Sequence, residues 1–589
     1  MYSLIALVAL VSSPAAPNPD EATAVEAVRD FGGRVQYGPS GRVVGVFLSH
    51  TDFGDADLKA LAPLAALEVL DLRGTRVGED KLKDFPRFAK LTALSLEDCR
   101  WLTADGLKAI GPCVTLRSLN LRNTRITGLL KPLSPLTELT ELDLWGTGVA
   151  EGTMEIVSRF RNLKSLNLAN NGKAFKPGLG LTDKALEHLA PLTRLTTLNL
   201  SGNRDLTGAG LKSLRPLSNL AQLDLSANNF TDADLGALAD LSALADLNLA
   251  ETKVTGPGLK ALAKLPRLRA LDLDRTPLTD AGATHLATLG ELNKLSLWRT
   301  EITDAGLKAI ASLKKLNDLS IHETGVTDAG LRTLAPLKEL AILDVGKTRV
   351  GDEGIKELAS FDRLAALYLY DTAVTDAGLK ELARLPKLTK LNLAGTAVTD
   401  AGLKELARLP ELSVLLLWGT KITGAGLAAF GPNERLTELS LAQSAVTDAG
   451  LRGLKPLTGL VRLELIGTGV TDKGLQELAH LKRLAVLDLT ETPVTGGSFG
   501  HLAGLPRLTE LRLGVTKVDD RGGKRLAGLT GLEKLDLFGT KLTDEGIRDL
   551  SALKKLTVLG LSQTNVTKTA LRELRRALPN CQVEGKGEP

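Results

Sequence analysis

Cysteine is nearly absent: Cys99, Cys113 and Cys581 are the three in 589 residues. That is too few for a disulfide framework. Aromatic residues make up 3% of the chain, so a core of packed rings is excluded and leucine must carry the burial. The six histidines (His50, His188, His285, His322, His480 and His501) are too dispersed for an H-E-x-x-H metal site. P-loop, C-x-x-C and G-x-S-x-G patterns are missing as well. Neither catalysis nor a cofactor is therefore expected. Lys plus Arg total 73 against 69 for Asp plus Glu, with no basic run, which argues against a nucleic-acid partner. Long apolar runs are missing too. Leu4 to Val11 spans eight residues, short of the ~30 Å hydrocarbon core that a transmembrane helix must cross. With Ser13-Pro14-Ala15 behind it, this run is expected to be a signal peptide over 1–16, although no Lys or Arg precedes it. Export to the periplasm, envelope or medium follows; the alternative is a cytoplasmic protein with an apolar start.

What the chain has in abundance is repetition. From Asn228 one anchor residue recurs every 24 positions: Thr252, Thr276, Thr300, Thr324, Thr348, Thr372, Thr396, Thr420, Ser444, Thr468, Thr492, Thr516, Thr540 and Thr564. Looser spacing carries the frame back through Asn203, Asn171, Thr147, Thr124, Cys99 and Thr75 to Thr51, which makes 22 turns. Fixed-period repetition builds a solenoid by adding turns, not separate cores. The repeats are assigned to 43–567, with an eight-residue insertion at 172–179 carrying Lys173, Phe175 and Lys176. An N-terminal cap is expected over 17–42. It comprises a short helix with Val25, Val28 and Phe31 on one face, then a strand Arg34 to Tyr37 and a turn at Gly38-Pro39-Ser40-Gly41. Leu571, Leu574 and Leu578 mark a C-terminal cap over 568–583, with a last strand from Pro579 to Val583 and a polar tail at 584–589.

The turn anchored on Thr396 shows how a repeat is built. Leu391 and Leu393 alternate with Lys390, Asn392 and Ala394, the period of a strand with one buried face. Thr399-Asp400 then precedes Leu403 and Leu406 at helical spacing, with Thr399 as N-cap and Asp400 favouring the helix start. A single repeat cannot bury its own leucines, whereas a stack can, at ~1.5–3 kcal/mol for each side chain. The anchor threonine is expected to bond backbone groups where the chain leaves the strand. In this frame Cys99 occupies an anchor and Cys113 a leucine position, and both read as buried small hydrophobes.

The pattern matches L-x-x-L-x-L-x-x-N/C-x-L with Thr at the Asn/Cys position. The chain resembles bacterial leucine-rich repeat proteins. Its TDAG turns at Thr279, Thr303, Thr327, Thr375, Thr399 and Thr447 are similar to tandem repeats of planctomycete type, and to ribonuclease-inhibitor-like and F-box repeats. With only about 40 residues given ahead of the repeats, an F-box is not expected. The resemblance implies an α/β fold, a curved solenoid with a parallel sheet on its concave face and short helices on its convex face. It also implies protein binding as a family tendency.

Partner-binding candidates lie among the outward strand positions, six, four and two residues before each anchor. The column at minus four is mostly Asn, Asp and Ser, as on a solvated sheet face. The column at minus two holds Trp145, Trp298, His322, Tyr370, Trp418 and Phe538, with Tyr368 and Leu416 beside it at minus four. Trp298 and Trp418 are five repeats apart, ~24 Å at strand spacing. Exposed aromatic clusters anchor recognition, so these eight residues are the candidate contacts, with Trp298, His322, Tyr368, Tyr370, Leu416 and Trp418 at the centre. The alternative is that each ring packs on its neighbour, since Trp145, Trp418 and Phe538 each precede a glycine. The expected protein is a monomeric scaffold for a protein or peptide; an envelope glycan ligand or a purely structural spacer is the other reading. The aspartates that follow the loop threonines form a carboxylate row of a kind that binds Ca²⁺, but the helix starts already account for them.

Overall fold

The structure is a computed structural model describing residues 19–78, 82, 85, 88–124, 126, 130–149, 151–169, 181–579 and 581–585. The expected signal peptide and the 172–179 insertion lie outside these residues. The chain divides into two compact units, Met1–Leu292 and Asn293–Pro589.

The first unit opens with helix α1 (Ala22–Asp30), which buries Ala24, Val25 and Val28. Strand β1 (Arg34–Tyr37) then pairs antiparallel with β2 (Val43–Phe47). Buried Glu21 accepts the Val43 amide at 2.8 Å, satisfying a strand donor at this end of the sheet. From β2 onward, strands of three residues run parallel and in register through Val69–Asp71 to Ala270–Asp272. In the second unit the same parallel ladder runs from Lys294–Ser296 to Gln582–Glu584. From Val69–Asp71 to Val558–Gly560 the central residue of each strand is a buried leucine, such as Leu295, Leu319, Leu343, Leu367 and Leu391. Each inward position therefore contributes to a continuous apolar row. The last strand starts at Gln582, not at Pro579 as the sequence pattern suggests, because proline has no amide to give a ladder.

On the opposite side short α-helical segments such as Asp304–Ile310, Asp376–Leu382 and Asp400–Leu406 alternate with 3-10 turns. Thr399 does cap its helix, accepting the Ala401 amide at 3.3 Å. The aspartates have a second role that sequence spacing does not reveal. Asp376 accepts the amide of Thr399 at 2.8 Å and its hydroxyl at 2.6 Å, one repeat on. Asp304 to Thr327, Asp352 to Thr375, Asp448 to Thr471 and Asp520 to Thr543 do the same. The carboxylate row is thus a ladder binding each repeat to the next.

The anchors close the other corner. Thr396 donates its hydroxyl to Leu393 O at 2.6 Å, and buried Thr252, Thr276 and Thr540 repeat the bond. Cys99 donates to Leu72 O at 3.1 Å and is buried, which pushes its thiol up to about 12; it acts as a packed anchor with little thiolate character. Among the described residues, the one before each anchor turns left-handed, for example Arg299 (φ 55°), Lys347 (φ 52°), Gly419 (φ 67°) and Gly539 (φ 64°). This turn lets its amide continue the ladder, as from Lys347 N to Tyr370 O at 2.7 Å. The glycines behind Trp145, Trp418 and Phe538 therefore serve a backbone turn found with other residues elsewhere.

Candidate functional site

The strand face presents the columns at minus six, minus four and minus two. Asn and Asp at minus four have a local structural role. Their side-chain oxygens accept the amide two residues on, as from Ala394 N to Asn392 Oδ1 at 3.0 Å and from Trp145 N to Asp143 Oδ1 at 2.9 Å. Each forms an Asx turn that ends a strand, so this column is more than a solvated surface.

In the first unit the minus-two column is largely self-satisfied. Arg73 grips buried Asp71, with Nη2 2.7 Å from Oδ2. Arg122 lies 3.5 Å from Glu97 and also covers the Trp145 ring at 4.1 Å. One face of Trp145 is thereby occupied by the protein's own cation. Further along, Asp272 is pushed up to about 6 by burial and by the charges of Asp274 and Asp224. A carboxyl raised in the fold binds more protons than in the unfolded chain between pH ~4 and ~6. Stability from this group is thus retained below that window and falls as pH rises through it. Asp272→Asn keeps an acceptor for the Asp274 amide, as Asn392 does for Ala394. After allowance for solvent screening, we expect it to stabilise the protein by about 1–2 kcal/mol at pH 7. The gain should vanish near pH 4, as checked by denaturant unfolding of both chains at the two pH values.

In the second unit the structure brings three of the predicted residues together. Trp298 stacks on His322, with centroids 5.1 Å apart and planes 24° from parallel. His322 meets Tyr370 at 5.9 Å and 56°. Tyr370 belongs to the repeat two turns on from His322 and reaches it across Gly346. A Cβ at Gly346 would lie 2.2 Å from Tyr370 Cε1, so the missing side chain makes room for the ring. The Trp298 indole donates to Glu323 Oε2 at 3.0 Å, which fixes the indole and holds the Glu323 carboxyl below its usual range, with help from Arg299 and Lys347. Burial pushes the Tyr370 hydroxyl up, reinforced by the charges of Asp344, Glu323 and Asp371. His322 Nδ1 lies 3.0 Å from Ser320 Oγ and 3.2 Å from Asp344 Oδ2. Both groups meet the same ring nitrogen. A Ser-His-Asp relay needs them on opposite nitrogens, so this grouping orients the imidazole and is not a nucleophile–base pair.

The other candidates are placed differently. Tyr368 stands in register between Asp344 and Asn392, with Lys390 Nζ 5.4 Å from its ring centre. Leu416 follows Asn392 in the same column and is half-buried. Trp418 is 49% exposed and has only Ala394 and Ala442 as minus-two neighbours. Phe538 is 36% exposed and lies five repeats beyond Trp418. Local packing thus accounts for Trp298, His322 and Tyr370, while Trp418 stands open. The column pattern overlooked Gly346, Glu323 and Asp344, which hold the rings in place. Their signal was available only as proximity in the repeat frame. Trp101 is 56% exposed and lies off the strand columns.

Leucine-rich repeat profiles match the chain at 193–254 and 218–278, and a second profile of that description matches 89–111, 384–407 and 529–551. Together with the parallel ladder and the anchor geometry, these matches support a leucine-rich repeat protein and establish the solenoid fold. No curated protein matches it. Among solved structures, TLR13 in complex with ssRNA13 is similar over 90% of this chain and 79% of its own, at 19% identity and a TM-score of 0.52. An internalin from Listeria monocytogenes is similar over 56% of this chain and 88% of its own, at 23% identity and a TM-score of 0.38. The leucine-rich repeat protein LIC12759 of Leptospira interrogans is similar over 76% and 96%, at 20% identity and a TM-score of 0.36. No helix among the described residues is long and apolar enough to cross a membrane.

Proposed function

We propose that this chain is a non-catalytic scaffold that binds a protein or peptide on the strand face of its second unit. The contact centre is Trp298, His322, Tyr368, Tyr370, Leu416 and Trp418, with Phe538 and Trp145 as outlying contacts. In this reading the protein is a monomeric bacterial repeat protein of planctomycete type, exported and capped over 17–42 and 568–583. The single observation that carries the function is the ordered ring row Trp298–His322–Tyr370, held by Glu323, Asp344 and Gly346. Preorganised aromatic side chains lose little conformational entropy on binding and act as hot spots. A protein is favoured over a glycan because the Trp298 face is already stacked and its N–H engaged, which leaves less ring for a sugar. Carboxylates beside the rings disfavour the nucleic-acid ligand named for the TLR13 complex.

The test is capture of a partner from envelope extract, followed by affinity measurement with the purified partner. Trp298→Ala should cost about 2 kcal/mol, roughly a 30-fold rise in Kd, and Trp418→Ala a comparable or smaller loss. Unchanged affinity in the double variant would remove this face as the site. Binding only on a glycan array would replace the protein ligand with a sugar.

A further inference from the structure

We propose that the C-terminal cap is a second contact surface, one that seats the chain on a bilayer carrying anionic phospholipid. It shares no residue with the strand-face rings. Residues 554–589 hold seven lysines and arginines against three glutamates, an excess of four. The formal net charge of the whole chain is +4, so everything before Lys554 sums to zero. The surplus charge is thus gathered at one place, where it acts as a local field.

The fold displays that charge. Lys554, Lys555, Lys568, Arg572 and Arg576 are exposed. Lys568, Arg572 and Arg576 follow at i, i+4 and i+8 on the helix Lys568–Ala577, a stripe ~12 Å long, while Leu571 and Leu574 are buried. Helix electrostatics accounts for only part of the cluster. Lys554 Nζ donates to Ala577 O at 3.1 Å and Arg575 Nη2 to Val583 O at 2.8 Å. Arg575 and Arg576 lie in the last turn, where cations are favoured. Lys568 stands at the first helical position, where a cation is disfavoured and where earlier repeats place Asp376, Asp400, Asp520 and Asp544. Carboxylates of the preceding helix are already engaged. Asp544 accepts the Thr567 amide and hydroxyl at 2.7 and 2.8 Å, and Glu545 holds Lys524 at 2.7 Å. An open recess of about 390 Å³, lined by Lys554, Arg576, Leu556, Leu578 and Pro579, has room for a headgroup phosphate.

The uncharged surroundings select the anion. Residues 554–589 contain no aromatic side chain, so the stacking platforms that hold single-stranded nucleic acid are missing. None of the large hydrophobics exposed among the described residues lies in this stretch. An acidic protein partner would therefore lack the buried anchor that carries such an interface. A bilayer of anionic headgroups needs neither, because clustered basic side chains bind it through charge, each adding its share.

The experiment sediments the full chain with sucrose-loaded vesicles of phosphatidylglycerol and phosphatidylcholine, and with vesicles of phosphatidylcholine alone. Binding to the anionic vesicles should be about tenfold stronger or more at about 50 mM salt, and should fall about tenfold by about 300 mM. Lys568→Gln with Arg572→Gln and Arg576→Gln should weaken it by about tenfold or more, with an unchanged urea midpoint as the check on folding. The lipid and salt comparisons use the unaltered chain and stand without this variant. Lys253→Gln with Lys421→Gln and Lys517→Gln removes the same charge from exposed sites elsewhere and should leave binding within about twofold. Equal binding to both vesicle types, or a folded cap variant that binds as the wild type does, would overturn the inference. So would a chain that ignores the vesicles and holds a single-stranded oligonucleotide through the same three cations. Trp298→Ala with Trp418→Ala should bind vesicles normally; a loss there would move the vesicle contact to the rings and overturn the role of the cap. Failure of the strand-face reading, measured on a protein partner, leaves this result untouched.

Discussion

Gly402→Ala is expected to destabilise the protein by about 3 kcal/mol, although alanine is normally the better helix former by about 1 kcal/mol. Gly402 lies inside the helical segment Asp400–Leu406 and is buried. A Cβ there would sit 2.4 Å from Asp376 Oδ1 and 2.7 Å from Leu379 Cδ1. Asp376 cannot withdraw without giving up the Thr399 amide and hydroxyl, at 2.8 and 2.6 Å. The clash and the ladder bond therefore compete for the same space. Gly330, Gly378, Gly474 and Gly546 stand in the same relation to Asp304, Asp352, Asp448 and Asp520, so the reason for glycine in TDAG lies in the preceding repeat. Asp376→Ala in the Gly402→Ala background should be less costly than in the wild type, with a coupling of about 1–2 kcal/mol in a double-mutant cycle. Denaturant unfolding, together with amide exchange of Thr399 and its neighbours, reads both terms. Exchange should quicken locally, since repeat stability is set largely by nearest neighbours. A neutral or stabilising Gly402→Ala would mean that the carboxylate ladder yields easily and contributes little.

Asn228→Ala should cost a similar amount, about 3 kcal/mol. Asn228 Nδ2 donates to Leu225 O in its own repeat and to Leu200 O in the one before, both at 2.9 Å and buried. Alanine removes both donors and leaves buried carbonyl oxygens short of a partner, at about 1–3 kcal/mol for each. Asn228→Thr should recover about half of the loss. Thr252, the next anchor, serves only its own Leu249 O, at 2.6 Å. A midpoint shift in urea at unchanged slope would read the effect as stability and not as a change of the unfolded chain. If threonine restored full stability, the bond to Leu200 would carry no weight, and the choice of Asn at 203 and 228 would need another cause.

The repeat frame, the strand and helix alternation and the inward leucines were legible because burial imposes a period. Leu391 and Leu393 stand at strand spacing, Leu403 and Leu406 at helical spacing, and the structure buries all four. Cys99 and Cys113 could be placed in the core from the same frame. The candidate site was legible only as a column. The frame put Trp298, His322, Tyr370 and Trp418 on one face, but a column cannot say which rings touch. Contact depends on the direction each ring leans, and that is set by partners about one repeat away or more: Glu323 for Trp298, Asp344 for His322 and bare Gly346 for Tyr370.

The sequence by itself determined the solenoid class, the number of turns and the outward columns, since each follows from apolar spacing within a single repeat. Tertiary structure alone decided what joins one repeat to the next: aspartate to the following threonine, Asn228 across two carbonyls, and the stacking of Trp298 on His322. The physical reason is that these are contacts between groups some 23–28 residues apart. Hydrogen-bond distance and ring orientation set their strength, and neither is written in a local pattern.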